Sequence, residues 1–198
     1  PALAALAAAP TGRLAPRLLY VLTGIAVEDK AWPGALDQAK RLVAEFPRDD
    51  AADDALERVG AGAAAAGAWP VAYDAYAELR QRFPKSPFVE PSRLAFAEAQ
   101  METGRVDAAR HELEKLLTVA PADAKLTRAW LVLARAREAK SDRTSALKAY
   151  ARAAKDGRGP EWSTVAVLAN ARLLVQDKRW SAARQVLGDL LKSPEAAT

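Results

Sequence analysis

The strongest constraint on the fold is a repeat with a step of 37 residues. Trp32 and Trp69 lie one step apart, and Trp180 lies three further steps along the chain. An alanine recurs three residues beyond each of five such positions, and prolines keep the same step: Ala35, Ala72, Ala109, Ala146, Ala183; Pro10, Pro47, Pro84, Pro121. A fixed period of this size is typical of stacked supersecondary units that bury their apolar faces against one another.

Each period contains two stretches in which apolar residues recur at helical spacing. The first two pairs of helices are predicted near 13–28 and 33–46, and near 50–66 and 70–83, with Asp49 and Asp50 as cap candidates. The third pair ends its first helix at Gly104 and continues near 105–119, while Pro87 and Pro91 leave its start open. The fourth follows Asp123 and continues near 142–155, and the fifth is predicted near 160–176 and 179–192. No alternation typical of a strand is present, so the chain is predicted to be all-α.

The domain prediction is a single array over residues 1–198. Five antiparallel helix pairs are expected near 11–47, 48–84, 85–121, 122–158 and 159–194. Residues 1–10, with Leu3 and Leu6 as an apolar face, fit the tail of a preceding repeat, and a frayed Ala-rich terminus is the alternative.

Composition argues against several functional classes. The net charge of +4 and the mixed charges favour a solvated surface over the clustered basic stripe of nucleic-acid binders. There is no Cys and one His, His111, so an ordinary zinc site or catalytic triad cannot be built. The run from Gly60 to Ala65 nominally fits the fingerprint of dinucleotide-binding proteins, but it lies inside a predicted helix rather than between a strand and a helix. The acidic cluster that begins at Asp49 is explained by a helix start better than by a metal site. No apolar run is long enough to span a membrane. We therefore expect no enzymatic activity, cofactor, metal or small-molecule substrate.

The second repeat has an unusual first helix, because its end reads Gly60-Ala-Gly-Ala-Ala-Ala-Ala-Gly67. Each interior glycine costs about 1 kcal/mol relative to alanine. This helix is therefore predicted to be either the weakest or the most closely packed, with the fastest hydrogen exchange among internal helices. Its small side chains would also leave room for a bulky ligand element.

The units resemble tetratricopeptide repeats (TPRs). The resemblance covers nearly the whole chain and rests on a small residue late in each first helix, an aromatic after the turn, the recurrent alanine, a Tyr or Leu four residues beyond it, and the closing proline. The matching residues besides those given above are Thr23, Gly60, Ala97, Ala134 and Ala171, then Tyr76, Leu113, Tyr150 and Leu187. The chain departs from the family in the length of its repeat, since TPRs repeat about every 34 residues and this chain every 37. Val106 and Arg143 replace the aromatic, and Asn170 stands where a large apolar residue is usual.

The resemblance implies a right-handed superhelix of helical hairpins whose first helices line a concave face. The residues implied for a peptide-binding groove are Tyr20, Val27, Leu94, Met101, Arg128, Leu131, Arg135, Leu168 and Arg172. Arg135 and Arg172 are one period apart and each follows a leucine by four residues, an arrangement that suits an acidic, apolar peptide or helix. The implied function is a non-enzymatic protein-protein interaction scaffold. The alternatives are ordinary solvated arginines, a helical-repeat nucleic-acid-binding protein, and a structural spacer.

A second resemblance concerns the junctions between repeats. Phe83-Pro84-Lys85-Ser86-Pro87, with its echo at Phe46-Pro47, is similar to the junctions of bacterial cell-envelope TPR proteins. The same residues also serve simply as a helix stop and restart. The expected location is the periplasm or cell envelope of a bacterium, within a larger complex, and the alternative is the cytoplasm.

Overall fold

The computed structural model describes residues 12, 14–119, 124–156 and 160–192, without the side chains of 119, 124–126, 156 and 160. Within this part of the chain there are ten α-helices and no strand, which confirms the all-α prediction. They are α1 (Ala15–Glu28), α2 (Trp32–Glu45), α3 (Ala51–Ala65), α4 (Trp69–Arg82), α5 (Arg93–Glu102), α6 (Val106–Val119), α7 (Ala124–Ala139), α8 (Arg143–Asp156), α9 (Pro160–Gln176) and α10 (Trp180–Lys192). The predictions for Leu3, Leu6, Pro10, Pro121 and the cap Asp123 lie outside the described residues.

Two helix starts differ from the sequence expectation. Helix α5 begins at Arg93, beyond both candidate prolines, because the preceding segment is held by Arg80, whose guanidinium donates to the Val89 carbonyl at 3.0 Å and to Ser92 Oγ at 3.2 Å. At α3 the N-cap position is Asp50, but its side chain makes no capping hydrogen bond. Asp49 Oδ1 instead accepts a hydrogen bond from the Ala51 N–H at 3.0 Å.

The chain divides into two compact units, residues 1–104 (unit 1) and 105–198 (unit 2). In unit 1, α1 packs on α2 and α3, α3 packs on α2 and α4, and α4 packs on α5. In unit 2, α7 packs on α6, α8 and α9, and α9 packs on α8 and α10. Each unit therefore shows the same hairpin pattern, in which a first helix contacts its own partner and the next first helix. The division falls within the third predicted repeat, and a single array over the whole chain stays a prediction.

The recurrent alanines are core residues in both units. Ala35 and Ala72 in unit 1, like Ala109 and Ala146 in unit 2, have no exposed surface, and Ala183 is nearly as buried. A side chain this small allows two helices to approach closely, which explains why the position is constant. In unit 1, Trp32 and Trp69 pack around a buried cluster of three alanines that includes Ala72. In unit 1 the aromatic after the turn thus fills the space between hairpins, whereas Trp180 in unit 2 is 54% exposed.

The turns inside the hairpins share one backbone conformation. A residue with positive φ ends the first helix of every pair, and these residues follow the 37-residue step: Lys30 (55°), Gly67 (73°), Gly104 (79°), Ser141 (61°) and Lys178 (59°). After Lys30, Gly67, Ser141 and Lys178, the next residue donates a backbone hydrogen bond to a carbonyl five residues earlier, as from Ala31 to Ala26 and from Asp142 to Arg137, at 2.8 and 2.9 Å. This is the geometry of a helix closed by a left-handed residue. The sequence indicated it only at the glycines.

The glycines of α3 are positions of close packing. A Cβ atom added to Gly60 would lie 2.7 Å from the Tyr76 ring, and one added to Gly62 would lie 2.9 Å from Val27 Cγ1. Of the two alternatives predicted for this helix, the structure shows close packing. The space beside Gly60 and Gly62 is filled by side chains of unit 1 itself. The expectation that the small side chains of this helix leave room for a ligand stays a prediction. The hydrogen-exchange order stays a prediction.

Candidate functional site

The nine predicted groove residues fall on two faces, one in each unit. Tyr20 and Val27 lie on α1, and Leu94 and Met101 lie on α5, all in unit 1. The other five form what we call the basic face of unit 2: Arg128, Leu131 and Arg135 on α7, and Leu168 and Arg172 on α9. The two faces are described separately.

Helix α9 carries an apolar stripe on the basic face. Val165, Leu168 and Val175 are 43%, 51% and 40% exposed, and their spacing places them on one side of the helix together with Arg172. Leu131, the equivalent of Leu168 one period earlier, is only 5% exposed because it lies in the core cluster of unit 2. Leu131 was predicted to supply groove surface, and its burial makes it a support for that face instead.

Arg172 is held by a carboxylate of the neighbouring first helix. Its Nη2 atom lies 2.6 Å from Glu138 Oε1 and 2.7 Å from Oε2. The buried Tyr150 on α8 donates its hydroxyl proton to Glu138 Oε2 at 2.8 Å. The guanidinium is therefore positioned by a network that reaches into the core, although more than half of the arginine side chain is exposed.

Arg135 also affects the electrostatics of the Tyr150 hydroxyl group. Burial and the hydrogen bond to Glu138 raise the pKa of Tyr150 above its ordinary value, and the positive charges of Arg172 and Arg135 oppose that rise. Both arginines are thus close enough to influence one hydroxyl group.

Arg128 marks the other end of the basic face. Its Cζ atom lies 4.9 Å from the centroid of the Trp162 ring, which is a cation-π contact between α7 and the start of α9. Stacking on an aromatic ring restrains the position of a guanidinium. The face therefore has Arg128 near the start of α9 and the Arg172–Glu138 pair near its end.

The unit 1 face contains a different cluster around Tyr20. The Tyr20 hydroxyl donates to Asp54 Oδ2 at 2.6 Å, and this hydrogen bond is the main cause of a raised Tyr20 pKa. The Arg58 guanidinium lies 5.8 Å from the Tyr20 ring and 3.7 Å from Glu28 Oε1. It also lies directly over Gly24, where an added Cβ would be 2.8 Å from Arg58 Nη1. Tyr20, Gly24, Glu28 and Arg58 line a shallow depression of about 320 Å³.

The other predicted groove residues of unit 1 expose only part of their side chains to a ligand. Val27 is half-buried, packs against the unit 1 core and fills the space beside Gly62. Leu94 and Met101 are also half-buried, so they present only part of their side chains. The sequence did not single out Arg58, because its position over Gly24 depends on how α1 and α3 cross. Trp162 and Val165 were missed for a related reason, since only the packing shows which side of α9 stays uncovered.

Charge is divided unequally between the units. Unit 1 contains 11 Lys and Arg residues against 14 Asp and Glu residues, a net charge of −3. Unit 2 contains 18 against 11, a net charge of +7, which together with unit 1 gives the +4 of the whole chain. The exposed arginines of α7 and α9 therefore lie in the more positive unit.

The described residues offer no alternative site with obvious chemistry. Within them, no group of three or more His, Asp or Glu side chains is placed to hold a metal ion. His111 is exposed on α6. No described helix is both long and apolar enough to cross a membrane.

Comparisons with known proteins identify the fold. No protein-family model matches the chain, and no curated protein matches its sequence. Solved structures do match. A MamA fragment (41-end) from Desulfovibrio magneticus RS-1 is 15% identical, with a TM-score of 0.66 over 89% of this chain and 93% of that one. TPR-like repeats of a putative kinesin light chain from Podosopora anserina are also 15% identical, with a TM-score of 0.64 over 91% and 95%.

A third similar structure is that of a Rap protein complexed with Competence and Sporulation Factor. It is 14% identical and has a TM-score of 0.59, with 98% of this chain covering 57% of that one. At these identities the matches establish the fold alone. The chain has a TPR-like helical-repeat fold, as its sequence resemblance indicated.

Proposed function

We propose that the chain is a non-enzymatic protein-interaction scaffold that binds an acidic, apolar peptide or helix of a partner protein. The observation that carries the proposal is the exposed stripe of Val165, Leu168 and Val175 on α9, with the Arg172 guanidinium in its middle. Arginine is enriched at binding hot spots, and the exposed apolar side chains beside it offer surface that a partner can bury.

The spacing of the stripe favours a helical ligand. Its residues extend over ten positions of α9, about 15 Å at the rise of an α-helix. An amphipathic helix lying along the stripe would place anchors at i, i+3 or i+4, and i+7 against it. The net charge of unit 2 favours acidic residues on such a helix, because opposite potentials speed encounter and select the partner.

A partner carboxylate would bind Arg172 in the place now taken by Glu138. Arg172 is more than half exposed, so its remaining N–H groups are accessible. Charge-assisted hydrogen bonds to a guanidinium are stronger than neutral ones. Arg135 and Arg128 supply further positive charge along the same face.

Two further observations support the proposal more generally. The Rap structure is titled as a complex with Competence and Sporulation Factor, so one protein of this fold is known with a bound partner. The unit 1 residues Tyr20, Val27, Leu94 and Met101 are proposed as a second part of the binding surface. We also propose a place in a bacterial periplasm or cell-envelope complex, from the Phe-Pro junctions, with the cytoplasm as the alternative. Fractionation of cells that express the natural protein distinguishes the two.

The proposal is tested with a partner that is captured by this chain, identified by mass spectrometry and purified. Binding is then measured by calorimetry for Arg135→Ala with Arg172→Ala, and separately for Leu168→Asp. Loss of one such anchor weakens binding by about 2 kcal/mol, or roughly 30-fold. The control is Arg184→Ala, which removes an exposed arginine from α10. Unchanged affinity in both test variants, with loss in the control, would place the site elsewhere.

The same protein also tests the nucleic-acid alternative. Binding to single-stranded RNA that falls steeply with salt would favour that function, because neutralised phosphates release counterions. A protein partner is expected to lose less affinity with salt, since part of its contact is apolar.

A further inference from the structure

At one position of the repeat, the fifth hairpin differs in residue type from the other four. Residues 22, 59, 96 and 133 follow the 37-residue step and are Leu, Val, Phe and Leu, each at most 7% exposed. The fifth member of the series is Asn170, which is 6% exposed. A carboxamide therefore stands where every other hairpin buries a large apolar side chain.

A cavity lies at this place in unit 2. It has a volume of about 440 Å³ and is bounded by α8, α9 and α10. The small side chains of Ala151 and Ala154 line it from α8, and Asn170 and Ser163 line it from α9. Three larger apolar side chains and two charged ones make up the rest of the walls. A leucine at 170, like Leu133 one period earlier, would occupy part of this space.

The Asn170 side chain is unusual for a buried amide. Among the described residues, none forms a hydrogen bond with it. Neither polar atom of the amide is among the described side-chain atoms that are fully buried without a partner, so the amide faces the open side of the cavity. A ligand with a polar group could therefore hydrogen-bond to the amide while its apolar part covers the apolar walls.

We propose that this cavity binds a small, uncharged organic molecule with a mainly apolar body and one hydroxyl or carboxamide group that hydrogen-bonds to Asn170. The volume lies within the range of ligand sites, which are apolar with a few placed polar groups. Lys155 and Asp189 also line the cavity and carry opposite charges, so the site favours no net charge on the ligand. The site is independent of the basic face, because it uses different residues of α9.

Phenol and benzene are matched probes, since only phenol carries the hydroxyl group. Both are titrated into ¹⁵N-labelled protein and followed by two-dimensional NMR. Phenol is expected to shift the Asn170 side-chain amide and backbone signals of α8, α9 and α10, and to bind several-fold, up to about tenfold, more tightly than benzene, which is the effect of one hydrogen bond. Absence of these shifts, or equal binding of the two probes, would overturn the proposal.

Asn170→Leu tests the site with the residue that the repeat has at 133. It is expected to abolish the phenol shifts and to raise Tm by about 2–4 °C. Ala154→Leu fills the cavity from α8 with the residue found one period earlier at 117, and should also abolish the shifts. The control Gln185→Leu makes a similar change at an exposed position of α10 and should leave phenol binding unchanged. Phenol shifts that persist in both cavity variants would show that the binding lies elsewhere.

Discussion

Replacing Gly60 by alanine tests the close packing of α3. In an exposed helix this change stabilises the protein by about 1 kcal/mol. Here the new Cβ would lie 2.7 Å from the ring of Tyr76, which is 2% exposed and contacts Phe96 edge to face at a centroid distance of 6.4 Å. Overpacking of this kind costs about 1–3 kcal/mol. We therefore expect Gly60→Ala to lower the free energy of unfolding by about 1 kcal/mol, the difference between these two effects.

Gly188 in α10 provides the matched control. It also lies inside a helix, but an added Cβ would have no atom within 4 Å. Gly188→Ala should therefore raise the free energy of unfolding by about 1 kcal/mol. Urea unfolding followed by circular dichroism, with a check that the m-value is unchanged, measures both. Equal stabilisation by the two substitutions would show that Tyr76 does not restrict the space beside Gly60.

Three further outcomes are expected. Ser141→Gly should raise the free energy of unfolding by about 1 kcal/mol in urea, because a φ of 61° is unfavourable for a residue with a Cβ, and no gain would contradict this conformation. Burial raises the pKa values of Tyr76 and Tyr150, so the folded state holds these protons more tightly than the unfolded state. The free energy of unfolding should therefore be constant up to about pH 10 and fall as the pH rises further. The measurement is the tyrosinate absorbance of the folded protein, and full ionisation near pH 10 would refute this expectation. Glu138→Gln should strengthen binding of an acidic partner several-fold by releasing Arg172, and weaker binding would mean that Glu138 positions the arginine for its ligand.

The order and type of the helices were predictable from the sequence because the signals are local. Apolar residues at helical spacing, prolines at helix starts and glycines after helix ends all depend on neighbours within one or two turns. The start of α5 was not predictable, since it depends on Arg80 contacting a segment about ten residues further along the chain. The role of Asp49 rather than Asp50 likewise depends on the backbone geometry of a single turn.

The candidate site was predictable only in part. The 37-residue step places Arg135 and Arg172 at equivalent positions of α7 and α9, but it also treated Leu131 and Leu168 as equivalent. Their exposures of 5% and 51% differ because the neighbours of α7 and α9 differ, and a periodic sequence carries no such information. The ion pair between Arg172 and Glu138 joins two helices. It therefore also depends on helix packing, which the periodic sequence does not show.

The left-handed turn residue has a consequence for how such a chain can change in length. The same backbone bond closes the turn whether the residue is Lys, Gly or Ser, so the geometry of the hairpin does not depend on one side chain. Cutting the sequence after Lys30, Gly67, Ser141 or Lys178 gives segments that start and end in the same conformation. A segment such as 31–67 is therefore a self-contained cassette whose duplication or exchange leaves both splice points unchanged. Recombination within a gene of this kind would therefore join segments whose ends have compatible backbone conformations.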